Sequence, residues 1–136
     1  MGILLALLLF SFIVIVHELG HFLLAKKNGI DVSEFSLGMG PRILSFERAG
    51  TRYSWKLLPF GGSCMMGEDE IDDQSAGSFN SKSVWARISV IAAGPVFNFI
   101  LALIFAVILV AWVGYDPAVA DDVIPGSAAE EAGLQK

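Results

Sequence analysis

The stretch GILLALLLFSFIVIVHELGHFLLA, residues 2–25, decides the fold. Its only titratable side chains are those of His17, Glu18 and His21. A run of this length and apolarity is what a helix needs to cross the hydrocarbon core of a bilayer. A cleaved signal peptide is the competing interpretation, but no basic segment precedes the run, no small-residue cleavage site follows it, and it contains His and Glu. The sequence therefore predicts a transmembrane helix over residues 1–25.

The composition of the whole chain also favours a membrane. The 136 residues are 54% hydrophobic and only 17% charged, whereas soluble domains carry about a quarter charged residues. The net charge of −5 argues against nucleic-acid partners, since these need a basic face. The single cysteine, Cys64, excludes an internal disulfide and is interpreted as a small, partly buried residue rather than a nucleophile.

A second apolar span runs over residues 88–115 without a charged residue, between Arg87 and Asp116. It predicts a second transmembrane helix. Near its start, the small residues at 92–94 would let another helix approach closely, as small residues do in membranes.

The basic residues predict the orientation of the two spans. Eight of the nine lie between them: Lys26, Lys27, Arg42, Arg48, Arg52, Lys56, Lys82 and Arg87. The positive-inside rule then places the loop 26–87 in the cytoplasm and both ends of the chain outside.

Within this loop, residues 42–46 and 51–57 are rich in β-branched and aromatic residues, and Arg48-Ala49-Gly50 separates them. This pattern predicts a β-hairpin, with glycines and prolines near 38–41 and 59–62 at its ends. The acidic residues 68–73 read as a solvated turn without the spacing of a calcium loop.

The tail over residues 116–136 is acidic and too short to fold alone. Ser127 precedes Ala128-Ala129-Glu130-Glu131 and predicts a helix N-cap. Because the sequence stops where this helix would end, we expect the chain to be a fragment of a longer protein.

The chemistry lies in His17-Glu18-Leu19-Gly20-His21. Two histidines four residues apart project from one face of a helix, so their imidazole nitrogens can bind one Zn²⁺. Glu18 can then act as the general acid/base toward a zinc-bound water that attacks a peptide carbonyl. Hydrogen-bonded polar residues in a helix bundle are the unspecific alternative, but ionisable groups within a membrane are costly and point to function.

Helix geometry predicts that the metal lies within the bilayer. At 1.5 Å per residue, His17 and His21 would lie about 13 and 7 Å from the cytoplasmic boundary at Lys26. A catalytic zinc needs a third protein ligand. Asp116 would lie at the opposite membrane face, so we expect that ligand on a later helix outside this chain, and the fragment alone to be inactive.

With these residues identified, the chain resembles the site-2-protease family of intramembrane zinc metalloproteases, in its bacterial regulator-of-sigma-E branch. HELGHFLLAK at 17–26 is the most specific match. The others are FSLGMGP at 35–41, LPFGG at 58–62, AGPVFN at 93–98 and PGSAAEEAGL at 125–134. Ser63-Cys64 depart from the family pattern, which often has Tyr-Val there.

The resemblance implies two transmembrane helices linked by a cytoplasmic, membrane-associated β-hairpin loop and followed by the start of a PDZ domain. It implies His17 and His21 as zinc ligands and Glu18 as the catalytic acid/base. The third ligand would be an Asp on a later helix. Asn98 is either a polar group supporting the active site or an ordinary interhelical hydrogen-bonding residue.

The implied activity is cleavage of transmembrane segments of membrane proteins, such as anti-sigma factors or signal-peptide remnants, in the bacterial cytoplasmic (inner) membrane. The alternative is a non-catalytic metal-binding membrane protein, a transporter or a degenerate scaffold. A transporter would place ionisable groups in several spans, and the second span has none, which favours the protease.

Overall fold

The structure is a computed structural model that describes residues 2–67, 75–115 and 122–133. The chain divides into two units, Met1–Ile104 and Phe105–Lys136. The acidic residues 68–73 and Asp116, discussed above, lie outside the described residues.

The first helix, α1, spans Gly2–Lys27. It ends at a Schellman motif around Gly29, which adopts a left-handed φ of 67°. The N–H of Ile30 donates to the carbonyl of Ala25 at 2.9 Å, and the N–H of Gly29 to that of Lys26 at 3.1 Å. This pattern satisfies the carbonyls at the end of the helix and turns the chain into the following strand.

The second helix, α2, spans Val84–Val113, so it begins four residues before the predicted apolar span. The hydroxyl of Ser83 accepts from the N–H of Ala86 and thereby caps the helix. The helix ends at Gly114, which has a φ of 82°. A helix boundary follows capping, whereas a span boundary follows hydropathy, and so the two differ.

Both helices are long and apolar enough to cross a membrane. With 26 and 30 residues, they would extend for about 39 and 45 Å. The structure thus confirms two long apolar helices on either side of a β-hairpin.

The hairpin consists of β1, Val32–Arg48, and β2, Thr51–Met66, which pair antiparallel. Ala49 and Gly50 form its turn with positive φ values of 50° and 72°, as two-residue hairpin turns require. The predicted turn is confirmed, but the predicted strand ends are wrong. Gly38, Gly40 and Gly61 lie inside the strands at positive φ, where they produce bulges rather than ends.

These bulges fold the hairpin back on itself. Residues 34–37 pair with residues 62–65 in the antiparallel sense. The same residues 34–37 also face 52–55, with both numbers rising together, which is the parallel sense. Among the described residues, the segment 62–65 has no strand on its other side. The doubled hairpin therefore has an open edge at 62–65.

The folded hairpin has one apolar face. It carries an open groove lined by Phe35, Leu37, Leu44, Phe46, Tyr53 and Trp55. Part of this face packs on α1, where the ring of Phe22 lies 5.1 Å from that of Phe35 and 5.9 Å from that of Tyr53. Much of the rest is exposed, including Phe46 and Trp55.

A buried carboxylate joins the two arms of the folded hairpin. Glu34 accepts from Arg42 through both carboxylate oxygens, at 2.7 and 3.2 Å, and Lys56 lies 3.6 Å away. Hydrogen bonding from the Arg42 guanidinium lowers the pKa of Glu34 to about 2, against an opposing effect of burial. Arg42 and Lys56 follow and precede the bends, so this cluster holds the fold-back in place.

The small core joins the helices to the hairpin. Its buried residues are Ala25, Ile30, Val32, Met66 and Val90, with Phe22, Leu24, Cys64 and Phe79 packed against them. This core therefore joins the end of α1, the start of β1, the end of β2 and the first turns of α2.

In the second unit, the short helix α3 spans Ala128–Glu131. Ser127 is its N-cap, as predicted, and accepts from the N–H of Glu130 at 3.4 Å. The start of a PDZ domain stays a prediction.

Candidate metal centre

Helix α1 presents His17, Glu18 and His21 toward α2 and the hairpin, and all three are half-buried. The two imidazole rings lie 4.8 Å apart, centroid to centroid, at an interplanar angle of 73°. This proximity is expected, because residues four apart lie on the same face of a helix, one turn from each other.

His21 is oriented by the backbone of α2. Its Nδ1 lies 2.7 Å from the carbonyl oxygen of Val90. A carbonyl only accepts, so Nδ1 must carry the proton, and Nε2 keeps its lone pair. Metal-binding histidines are commonly held by such a bond from the second ring nitrogen.

His17 is oriented by Asn98, whose amide nitrogen lies 3.2 Å from His17 Nδ1. The amide oxygen of Asn98 is buried and has no hydrogen-bond partner among the residues that the structure describes. A half-turn of the Asn98 amide exchanges its oxygen and nitrogen and preserves the shape of the side chain. In that orientation, the amide oxygen would accept a hydrogen bond from a protonated Nδ1 of His17. His17 Nε2 would then also keep its lone pair for a metal.

Gly94 lies against the ring nitrogens of both histidines. A Cβ added to Gly94 would lie 2.5 Å from His17 Nε2 and would also meet His21 Nε2. Both ring nitrogens thus converge at the Gly94 backbone, and any larger residue there would collide with the two imidazoles. Only glycine therefore lets α2 lie this close to the two Nε2 atoms, which face the same point and could bind one zinc ion through Zn–N bonds of about 2.0–2.1 Å beside Gly94.

The features of α2 that meet the histidines fall at Val90, Gly94 and Asn98, four residues apart and hence on one helix face. The predicted close approach of the helices is present, since a Cβ at Gly20 would lie 2.6 Å from the Ala93 carbonyl oxygen. The sequence suggested a role for Asn98 but missed Val90 and Gly94. Their four-residue spacing from Asn98 was the available signal.

Glu18 lies beside the open edge of the hairpin. A Cβ added to Gly62 would lie 3.6 Å from Glu18 Cγ and 3.0 Å from the Ser36 carbonyl oxygen. The glycine therefore brings the backbone of β2 against the side chain of Glu18. The structure places Asn98 on His17 and the His17 and His21 rings side by side, with Glu18 adjacent in the helix and against Gly62. Their roles at the site stay predictions.

A third ligand is not found in the described ranges, where no group of three His, Cys, Asp or Glu side chains is suited to a metal. Cys64 lines a cavity with Glu18 and His21 but does not complete such a group. The site contains two candidate ligands, one candidate acid/base and the residues that orient them.

Comparison with known proteins gives consistent matches. The profile of peptidase family M50 matches residues 5–132. The chain is 43% identical over 137 residues to "Putative zinc metalloprotease CPE1693" of Clostridium perfringens, covering 100% of this chain and 41% of that protein. It is 41% identical over 131 residues to a "Putative zinc metalloprotease" of Vibrio cholerae, covering 90% and 28%, respectively.

A third relative, a "Putative zinc metalloprotease" of Thermotoga maritima, is 38% identical over 136 residues, which cover 96% of this chain and 27% of that protein. The chain spans less than half the length of these relatives.

Proposed function

The chain belongs to peptidase family M50, and from this premise we propose that it is the metal-binding and acid/base part of a membrane-embedded zinc endopeptidase. One observation carries the proposal: the Nε2 atoms of His17 and His21 converge on one point beside the Gly94 backbone, within the same helical turn as Glu18. The names of the relatives support zinc as the metal.

The residues have distinct roles in peptide hydrolysis. His17 and His21 hold the zinc through Nε2, while Asn98 and the Val90 carbonyl fix the two rings. When bound, zinc supplies Lewis acidity that activates water and polarises a peptide carbonyl. Glu18 takes a proton from the attacking water and delivers it to the leaving amine.

The third protein ligand is proposed to come from a later helix of the full-length protein. A catalytic zinc has three protein ligands, and the described residues offer two. The family resemblance suggests an Asp for this position. The activity therefore belongs to the full-length protein.

The proposed substrates are transmembrane segments of other membrane proteins, cleaved in regulated intramembrane proteolysis. Anti-sigma factors and signal-peptide remnants are the classes that the family resemblance suggests. A membrane segment must unwind to expose its peptide bonds, and an extended segment can pair with an open strand edge. The edge at 62–65, with Gly62 against Glu18, supports this mode of binding.

The proposed location is the bacterial cytoplasmic membrane, with the loop 26–87 in the cytoplasm and both ends of the chain outside. The distribution of Lys and Arg supports this orientation. The lipid bilayer and membrane-protein substrates are then the partners, and nucleic acid is not expected.

The test separates this function from a metal-binding protein without catalysis. The full-length protein, purified in detergent, is incubated with a transmembrane test substrate before and after zinc is removed with a chelator. We expect cleavage that disappears with the zinc and returns when zinc is restored. Stoichiometric zinc without cleavage of any membrane substrate would favour the transporter or scaffold.

A further inference from the structure

A cavity of about 400 Å³ opens beside Glu18 and His21. Its remaining walls share an apolar character and come from β2, from the segment 75–83 and from α2. They are Cys64, Met66, Phe79, Val90 and Ile91. Sites of this size and lining usually bind apolar groups, with a few polar atoms that fix orientation.

The cavity continues the contact between the open strand edge and the acid/base residue. Alternate residues of a strand share one face, so Cys64 follows Gly62 on the face that meets Glu18. Because Gly62 has no side chain, the strand backbone lies against Glu18. Two residues further on, the Cys64 side chain becomes a wall of the cavity.

The walls are fixed by the core. Val90 and Met66 are buried core residues, and Cys64 and Phe79 pack against the same cluster. Val90 also accepts from the His21 ring through its carbonyl oxygen. Val90 therefore contributes both to the wall of the cavity and to the orientation of the candidate metal ligand His21.

We propose that this cavity is a specificity subsite that receives one large apolar side chain of the substrate, adjacent to the bond that is cut. The proposal rests on the proposed function. A peptide carbonyl attacked beside Glu18 and His21 must place a flanking side chain within a few ångströms of them, and this cavity opens there. An extended substrate on the edge 62–65 would direct alternate side chains toward it.

The chemistry of the walls selects the occupant. None of the five apolar walls can pair with a charged group, so a Lys or Arg side chain would lose its hydration with only Glu18 to compensate. An acidic side chain would lose its hydration against the same apolar walls. Leucine, phenylalanine and similar residues, abundant in membrane segments, would bury apolar surface at no such cost.

The experiment compares cleavage of paired substrates by the full-length protein. The residues on either side of the scissile bond, located from product masses, are changed one at a time to Ala, Leu or Trp. Cys64→Phe narrows the cavity and Phe79→Ala enlarges it. Phe46→Ala is the matched control, since Phe46 lies on the exposed hairpin groove and does not line the cavity.

At one of the two positions, we expect the native protein to favour Leu over Ala by about tenfold or more in kcat/KM, the usual discrimination of an apolar pocket. Cys64→Phe should reduce or reverse this ratio of kcat/KM. Phe79→Ala should shift the preference toward residues larger than Leu. Phe46→Ala should leave the preference of the native protein unchanged. If Cys64→Phe fails to fold, Phe79→Ala decides.

Unchanged ratios in every folded cavity variant would overturn the subsite while leaving the protease intact. Absence of cleavage by the native protein would instead remove the proposed function itself. The ratio of kcat/KM between paired substrates distinguishes a subsite from a general structural role, because a loss of stability lowers kcat/KM for both substrates together.

Discussion

Gly94 lies where the two imidazole rings converge, and replacing it with alanine places a methyl group close to both Nε2 atoms. We expect Gly94→Ala to weaken zinc binding by about tenfold or more, comparable with the loss of other supporting residues at metal sites. Zinc content measured by atomic absorption on the purified full-length protein checks this.

Gly20→Ala is the matched control, because its Cβ would meet the Ala93 carbonyl oxygen and neither imidazole ring. It should lower stability while retaining more zinc than Gly94→Ala does. Native zinc content in Gly94→Ala would show that zinc binding does not need the close contact between the two rings and Gly94.

Asn98 is expected to act through the ring of His17. Asn98→Leu removes the acceptor for the Nδ1 proton and should weaken zinc binding by about 10- to 100-fold. Asn98→Asp keeps an oxygen at this position and should retain the metal. Competition with a chelator of known affinity measures both effects. Equal zinc affinity in the native protein and Asn98→Leu would assign Asn98 to helix packing alone.

At this scale, the sequence predicted the residues whose chemistry is local. The spacing of His17 and His21 already implies a shared helix face, with Glu18 adjacent. Val90 and Gly94 could not be found in this way, because a backbone carbonyl and a missing side chain acquire their roles only from the helix packed against them. For Asn98 the sequence allows two alternatives, and its contact with His17 shows that its interhelical hydrogen bond reaches a candidate metal ligand.

At the scale of elements, Glu34 stabilises the folded hairpin in a pH-dependent way. Its pKa falls from 4.5 to about 2 in the folded protein. A lowered pKa contributes stability above pH 4.5, and this stability is lost as the pH falls toward 2. Glu34→Gln should therefore lower the melting temperature at pH 7 by a few degrees, and the difference from the native protein should narrow as the pH falls through this window.

Glu47→Gln is the control for this pair of measurements. Glu47 also contacts an arginine, Arg52 at 2.8 Å, but its side chain is 68% exposed, so its removal should change the melting temperature little. Equal effects of Glu34→Gln and Glu47→Gln, or a difference that does not depend on pH, would contradict the role assigned to Glu34.

The hairpin shows what local patterns miss. Its turn at Ala49-Gly50 follows from residues that accept positive φ, and the sequence predicted it. The fold-back at Gly38 and Gly61 depends on contacts between strands distant in sequence. A Cβ at Gly38 would meet the Leu58 carbonyl oxygen, so this glycine marks a close approach inside the strand rather than its end.

At the scale of the whole molecule, the orientation in the membrane can be tested. Alkaline phosphatase is active only outside the cytoplasm, so a fusion after Gly50 should be inactive and a fusion after Asp122 active. The reason is that eight of nine basic residues lie between the spans. An active fusion after Gly50 would place the loop 26–87 outside the cytoplasm and contradict the predicted orientation.

The family was predictable from the sequence because its motifs are distributed over almost the whole chain, and the match to residues 5–132 confirms it. The third zinc ligand and the substrate could not be predicted in the same way. The described residues contain no group of three side chains suited to a metal, and the chain spans 41% of its Clostridium perfringens relative.

The most direct test of the central claim is cleavage of a transmembrane test substrate by full-length Glu18→Gln, with zinc content measured in the same preparation. Glutamine keeps the size of the side chain but cannot take a proton from water. We expect zinc bound as in the native protein and cleavage reduced by about 100-fold or more. Undiminished cleavage with zinc in place would contradict the role of Glu18 as the acid/base residue.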